Sequence, residues 1–103
     1  MFIARIFLKS SADGGRKQVI TPETQYGCPV YFKDTPALSK RAYDCRLLLA
    51  KIDKSISPGE MLDDVPIAFL STDELKPHLK TGTEFVLWEG REIGIGIITS
   101  ISS

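Results

Sequence analysis

Residues 2 to 9 alternate, with Phe2, Ala4, Ile6 and Leu8 on one side and Ile3, Arg5, Phe7 and Lys9 on the other. A period of two belongs to a half-buried strand, so a first strand is predicted here with Phe2, Ala4, Ile6 and Leu8 toward the core. Ser10 to Arg16 reads as a loop, because Ser-Ser-Ala-Asp-Gly-Gly supplies polar side chains and glycines able to take positive φ. Lys17 to Gly27 has no clear period and is expected at the surface. Val30-Tyr31-Phe32 is a short β-prone run after Pro29, where a proline suits a strand's start. From Tyr43 to Ile52, residues Tyr43, Cys45, Leu47 and Leu49 share one face, and Asp44, Arg46 and Leu48 the other. This predicts a third strand, although Leu47-Leu48-Leu49-Ala50 alone also fits a helix.

Ser57-Pro58-Gly59-Glu60 is a turn signal. Beyond it, Leu62 to Leu70 sets Val65, Ile67 and Phe69 on one side, with Pro66 marking an edge or a bulge. A short helical insertion is predicted near residues 71–79: Ser71 or Thr72 caps it, Asp73 and Glu74 fill its first turn, and Pro77 limits its length. Glu84 to Trp88 and Glu92 to Ile101 form two strands joined through Glu89-Gly90-Arg91 as a hairpin. In the last strand Ile93, Ile95, Ile97 and Ile101 share one face, and Gly94 and Gly96 the other. The glycines leave a strip without side chains that a neighbouring strand or a large ring can approach, with Trp88 as the candidate ring. Many regularly spaced strands and little helix predict an all-β chain, a small antiparallel β-barrel of about six strands or a sandwich.

Composition fits one domain spanning residues 1–103, since the chain is ordinary in its apolar (43%) and charged (25%) content. Its apolar runs are far shorter than the roughly 20 residues of a membrane helix. Arg5 interrupts the apolar N-terminus and no small-residue cleavage site follows, so a strand in a cytoplasmic protein is expected there. Net charge is zero but unevenly spread: through Lys54 ten Lys or Arg face five Asp or Glu, and from Ser55 onward three face eight. Interleaving of the two halves in a barrel would neutralise them mutually, while a basic face for an acidic partner is the alternative. Overall neutrality weighs against strong non-specific nucleic-acid binding.

The succession Asp13-Gly14-Gly15-Arg16, Pro29-Val30-Tyr31-Phe32, Ser57-Pro58-Gly59-Glu60, Pro66-Ile67-Ala68 and Trp88-Glu89-Gly90-Arg91-Glu92-Ile93-Gly94-Ile95-Gly96 resembles the C-terminal (third) β-barrel domain of elongation factor Tu, along nearly the whole chain. That resemblance implies the barrel and a binding surface built from two loops. Carried over position by position, Gly15, Arg16 and Lys17 fall in the first loop, and Glu89, Gly90 and Arg91 in the terminal hairpin. In the family these loops contact the tRNA T-stem backbone, and the domain also docks on proteins. The 103 residues hold no counterpart of the family's GTP-binding domain or middle barrel. Nor do they contain a Gly-x-x-x-x-Gly-Lys-Ser/Thr loop, so GTP binding by that route is not expected. Lys17 stands where the family usually has histidine, and Glu89 replaces a glycine.

Arg16 and Lys17 beside exposed backbone N–H groups suit a phosphate, but the Glu89 carboxylate repels one. The plainer alternative is two tight turns, with Arg16 solvated and Arg91 paired to Glu89 or Glu92. Cys28 and Cys45 lie outside any Cys-x-x-Cys pattern and read as buried free thiols. His78 has no catalytic partner at a recognisable spacing, and Glu60, Asp63 and Asp64 lack the glycine-punctuated loop of a calcium site. The expectation is therefore a non-enzymatic module without cofactor or metal that docks a protein partner, with tRNA or another structured RNA as the alternative. Edge strands left by incomplete closure would offer a dimer surface, though no pattern demands one.

Overall fold

The computed structural model describes residues 1–102. Six strands follow one another: β1 (Phe2–Leu8), β2 (Gly27–Tyr31), β3 (Tyr43–Leu47), β4 (Met61–Phe69), β5 (Glu84–Trp88) and β6 (Glu92–Ile101). They close in the order β1-β4-β3-β2-β5-β6, every neighbouring pair antiparallel, with β6 returning to β1. The chain is thus the all-β small barrel that its alternation predicts. Closure leaves no free strand edge among the described residues, so the incompletely closed barrel that would offer an edge for a dimer is not what forms.

Alternation decides which side chains fill the barrel. Phe2, Ala4, Ile6 and Leu8 of β1, Tyr43, Cys45 and Leu47 of β3, and Val65, Ile67 and Phe69 of β4 are all buried. Phe32, just past β2, is fully buried at the centre, with the rings of Tyr43, Phe69 and Phe85 5.8 to 5.9 Å from its own. These edge-on and tilted contacts are the favoured geometry for aromatic packing. Burying a side chain of this size is worth about 1.5–3 kcal/mol.

Five local expectations are corrected. The strand starting at Tyr43 stops at Leu47: Leu48 still donates in register to Pro66 O (2.9 Å), but Pro66 has no N–H to return the bond, and a 3-10 turn follows over Leu49–Lys51; buried Leu49 nonetheless keeps the inward phase. The unpatterned stretch 17–27 is pinned to the core rather than lying wholly on the surface. Ile20 and Ile56 exchange both backbone hydrogen bonds (2.9 and 3.0 Å), and both side chains are buried. Pro66 marks neither an edge nor the bulge: it pairs with Ile3, and the register shift falls earlier, beside Asp64 at φ 57°. In β6 the register shifts between Leu87 and Trp88, leaving Ile93 as a bulge residue. Ile93 and Gly94 are consequently both buried, and Ile95 and Ile97 turn to the outer face. The ring above the glycine strip is Phe85, which a Cβ at Gly96 would overlap; Trp88 packs instead on Tyr31, ring centroids 5.5 Å apart.

The insertion between β4 and β5 consists of one helical turn, α1 (Thr72–Leu75), continued by a 3-10 turn over Lys76–His78. Ser71 occupies the cap position without a capping side-chain bond, and Thr72 Oγ1 donates to Phe69 O at 2.6 Å. Buried Leu75 fastens the turn to the barrel.

Candidate functional site

The loop after β1 is shaped by its own backbone. Ser10 Oγ accepts from Asp13 N (3.2 Å), a 3-10 turn covers Ser11–Asp13, and Gly14 reverses the chain at φ 93°. Gly15 N donates to Ser10 O at 2.9 Å, and a Cβ on Gly15 would overlap the Lys9 carbonyl. The close crossing of the chain over itself therefore requires glycine at position 15. On the other side, the turn between β5 and β6 closes with Glu89 N donating to Arg91 O at 2.9 Å, and Gly90 sits at its tip at φ 72°.

These two loops meet. The Arg91 guanidinium donates through Nε to Gly14 O (2.6 Å) and through Nη2 to Gly15 O (3.2 Å), tying the hairpin to the first loop across 76 to 77 residues of sequence. Arg91 is paired with neither Glu89 nor Glu92, as the simpler sequence reading had it, but with backbone carbonyls. Arg16 Nη1 lies 3.3 Å from Glu89 Oε2, and its guanidinium carbon stands 5.0 Å from the centre of the Tyr26 ring. Tyr26 in turn donates its hydroxyl to the same Glu89 oxygen. Arg16 is only 19% exposed in its side chain, so it is held in the platform rather than solvated. Burial and, next, the hydrogen bond to Glu89 push the Tyr26 hydroxyl well above its ordinary value, so it stays a donor throughout the physiological range.

Of the six residues expected at the site, Gly15, Arg16, Glu89 and Arg91 are brought into one cluster. Lys17 is exposed and forms no ion pair among the described residues, and Gly90 is exposed with open space beside it. Tyr26 is the member that sequence reasoning missed. It lies in the unpatterned stretch, where no period marks it, and only its aromatic body and polar tip hinted at a half-buried place.

The platform can present Lys17, the Gly90 tip and a carboxylate already engaged by a guanidinium and a phenol. A phosphate that drew either the Arg16 or the Arg91 guanidinium out of its place would have to break these internal bonds. Arg16 Nε is buried without a partner, so the guanidinium is already incompletely satisfied as it stands.

The other candidates lie apart from this cluster. Cys28 and Cys45 face each other across β2 and β3 as buried free thiols, and burial raises both above the ordinary 9.0. Thiols held protonated in this way are poor nucleophiles. His78 is exposed on the insertion, Asp63 is paired with Arg5 (2.5 Å), and Glu60 accepts from Ser57 N (2.8 Å). Among the described residues no group of three or more His, Cys, Asp or Glu gathers where it could hold a metal ion. No helix among them is long and apolar enough to cross a membrane. A comparison of the sequence with known protein families finds no match, and neither does a comparison with curated proteins.

Proposed function

We propose that this chain is a non-enzymatic docking module that engages a protein through the platform formed by Gly14 to Lys17 and Glu89 to Arg91. The observation that carries this reading is the internal use of the platform's charge: Arg91 on two carbonyls, and Arg16 between Glu89 and Tyr26. Phosphate recognition needs guanidinium and ammonium groups free to replace counterions. Here Arg16 and Arg91 are already held by internal bonds, Lys17 alone is unengaged, and Glu89 offsets the charge of Arg16. A polar surface of three cations and one carboxylate, with both arginines already bonded internally, instead matches the rim of a protein–protein contact.

The ordered motifs that resemble the third domain of elongation factor Tu suggest the partner's identity: a protein that recognises that domain. Such a module would act as a regulator or a decoy, or as an immunity protein against a toxin that uses the elongation factor. A photo-crosslinker on Lys17→Cys tests this, because the two natural cysteines are buried and a maleimide–benzophenone is directed to position 17. Irradiation in a bacterial lysate is expected to give a discrete protein adduct that resists ribonuclease and is competed away by isolated elongation factor Tu. Adducts that disappear with ribonuclease would favour the RNA reading and overturn this one, as would adducts indifferent to the competitor.

A further inference from the structure

Inside the barrel, two thiols are brought face to face. In the register of β2 and β3, Cys28 stands directly opposite Cys45, and both side chains point inward and are buried. Leu47 N donates to Tyr26 O at 3.0 Å, which puts Tyr26 and Leu47 in hydrogen-bonding phase; two residues on, Cys28 and Cys45 share that phase. Opposed residues of this kind have Cα atoms about 5.5 Å apart, well inside the roughly 4.4–6.8 Å that a disulfide bridges. The Cys45 thiol is otherwise held weakly, by a 4.0 Å contact with Arg46 O.

The spacing also decides what kind of bond can form there. Directly opposed Cβ atoms lie about 4.5–5.5 Å apart, at the long end in this phase, whereas a disulfide holds them at about 3.5–4.5 Å. Closing the bond therefore draws β2 toward β3. β2 can follow, because it is registered with β5 only at Val30 and Tyr31, leaving Gly27 to Pro29 paired with β3 alone. A bond that needs such a shift is more readily reduced than an unstrained one, which suits a reversible couple and not a permanent staple.

We propose that Cys28 and Cys45 form a reversible dithiol–disulfide couple, oxidised by a low-molecular-weight disulfide of the glutathione class. Cys28 is the entry point, since its thiol lies beside the Tyr26 hydroxyl and the Trp88 backbone, at the edge of the platform. When the chain opens locally there, the Cys28 thiolate attacks one sulfur of the oxidant, breaking its S–S bond and releasing one small thiol. The Cys45 sulfur then displaces the second small thiol from the mixed disulfide, and the Cys28–Cys45 bond forms. In total the protein gives up two electrons and two protons, and the oxidant leaves as two thiols. Because burial keeps both cysteines protonated at rest, the reaction waits on that opening and is slow. The same burial keeps a second protein from either sulfur, so each is left with the other as its partner. The couple stands independently of the docking role proposed above.

Intact-mass measurement tests the pairing. The folded, reduced protein is incubated with excess oxidised glutathione near neutral pH, quenched in acid and weighed whole. The natural chain is expected to yield a monomer lighter by two hydrogen atoms, with the circular dichroism of the β-barrel retained and the original mass restored by excess reduced glutathione. Cys45→Ser should not give the lighter species and should stop instead at one glutathione on Cys28. A folded chain that keeps both thiols after prolonged exposure overturns the inference. So does oxidation that yields only glutathione adducts or copies linked to one another, or a lighter species that has lost the β-sheet spectrum, since the bond would then not belong to the fold. The readings on the natural chain do not depend on the folding of Cys45→Ser.

Discussion

A methyl group at Gly96 would overlap the ring of Phe85, and one at Gly94 would overlap the Phe7 carbonyl, so both glycines are required by what packs against them. Gly96→Ala is expected to destabilise the barrel by about 1–3 kcal/mol, the usual cost of inserting a methyl into a filled core. Urea denaturation measures this, and Gly96→Ala combined with Phe85→Leu should regain part of the loss; an unchanged midpoint in the single variant would contradict the packing. The strip itself was legible from two glycines at a spacing of two. Its ring was not, because the bulge at Ile93 decides that Phe85, and not Trp88, stands over Gly96, and a bulge leaves no mark in the alternation. Tyr26 and Ile20 escaped for a related reason: both are anchored by partners far along the chain, Glu89 and Ile56, within a segment that has no period of its own.

Among the elements, the strands were easier to read than the loops. Period-two patterns over Phe2 to Leu8 and Leu62 to Leu70 gave both the strands and their inward faces, because burial on one side imposes that period whatever the neighbours are. The first loop and the terminal hairpin were recognisable as turns from their glycines, and their joint importance from the resemblance alone. That Arg91 binds the Gly14 and Gly15 carbonyls could not be read, since a guanidinium has as many acceptors to choose from as the fold brings near it. Arg91→Leu removes both bonds while keeping much of the aliphatic stem. Amide exchange in residues 10 to 16 should then quicken by about tenfold or more, as expected for loss of charge-assisted bonds from a surface loop, with β1 and β6 unaffected. Unaltered exchange in that loop would mean that its own turn, and not the hairpin, holds it.

For the whole molecule, closure of the barrel has the widest consequence. Each of the six strands has a neighbour on both sides, so recognition is left to loop ends and outer faces, and the platform with its internally bonded arginines is such a loop end. The uneven charge of the two halves is partly resolved by closure, since Arg5–Asp63, Lys9–Glu92, Arg16–Glu89, Lys33–Glu92 and Arg41–Glu74 all join the basic first half to the acidic second. Each such exposed pair is worth little alone, about 0–1 kcal/mol. At the platform Arg16 and Arg91 are both engaged, whereas seven of the 13 Lys and Arg, Lys17 among them, form no ion pair among the described residues. Whether those arginines are in fact withheld from nucleic acid is read most directly by titrating fluorescent tRNA with the protein at about 50 and 200 mM salt. A protein-docking platform with its cations internally engaged should give no saturable binding at either salt, and no change on Arg16→Ala or Lys17→Ala. Saturable binding that weakens steeply with salt and is lost in those two variants would contradict it.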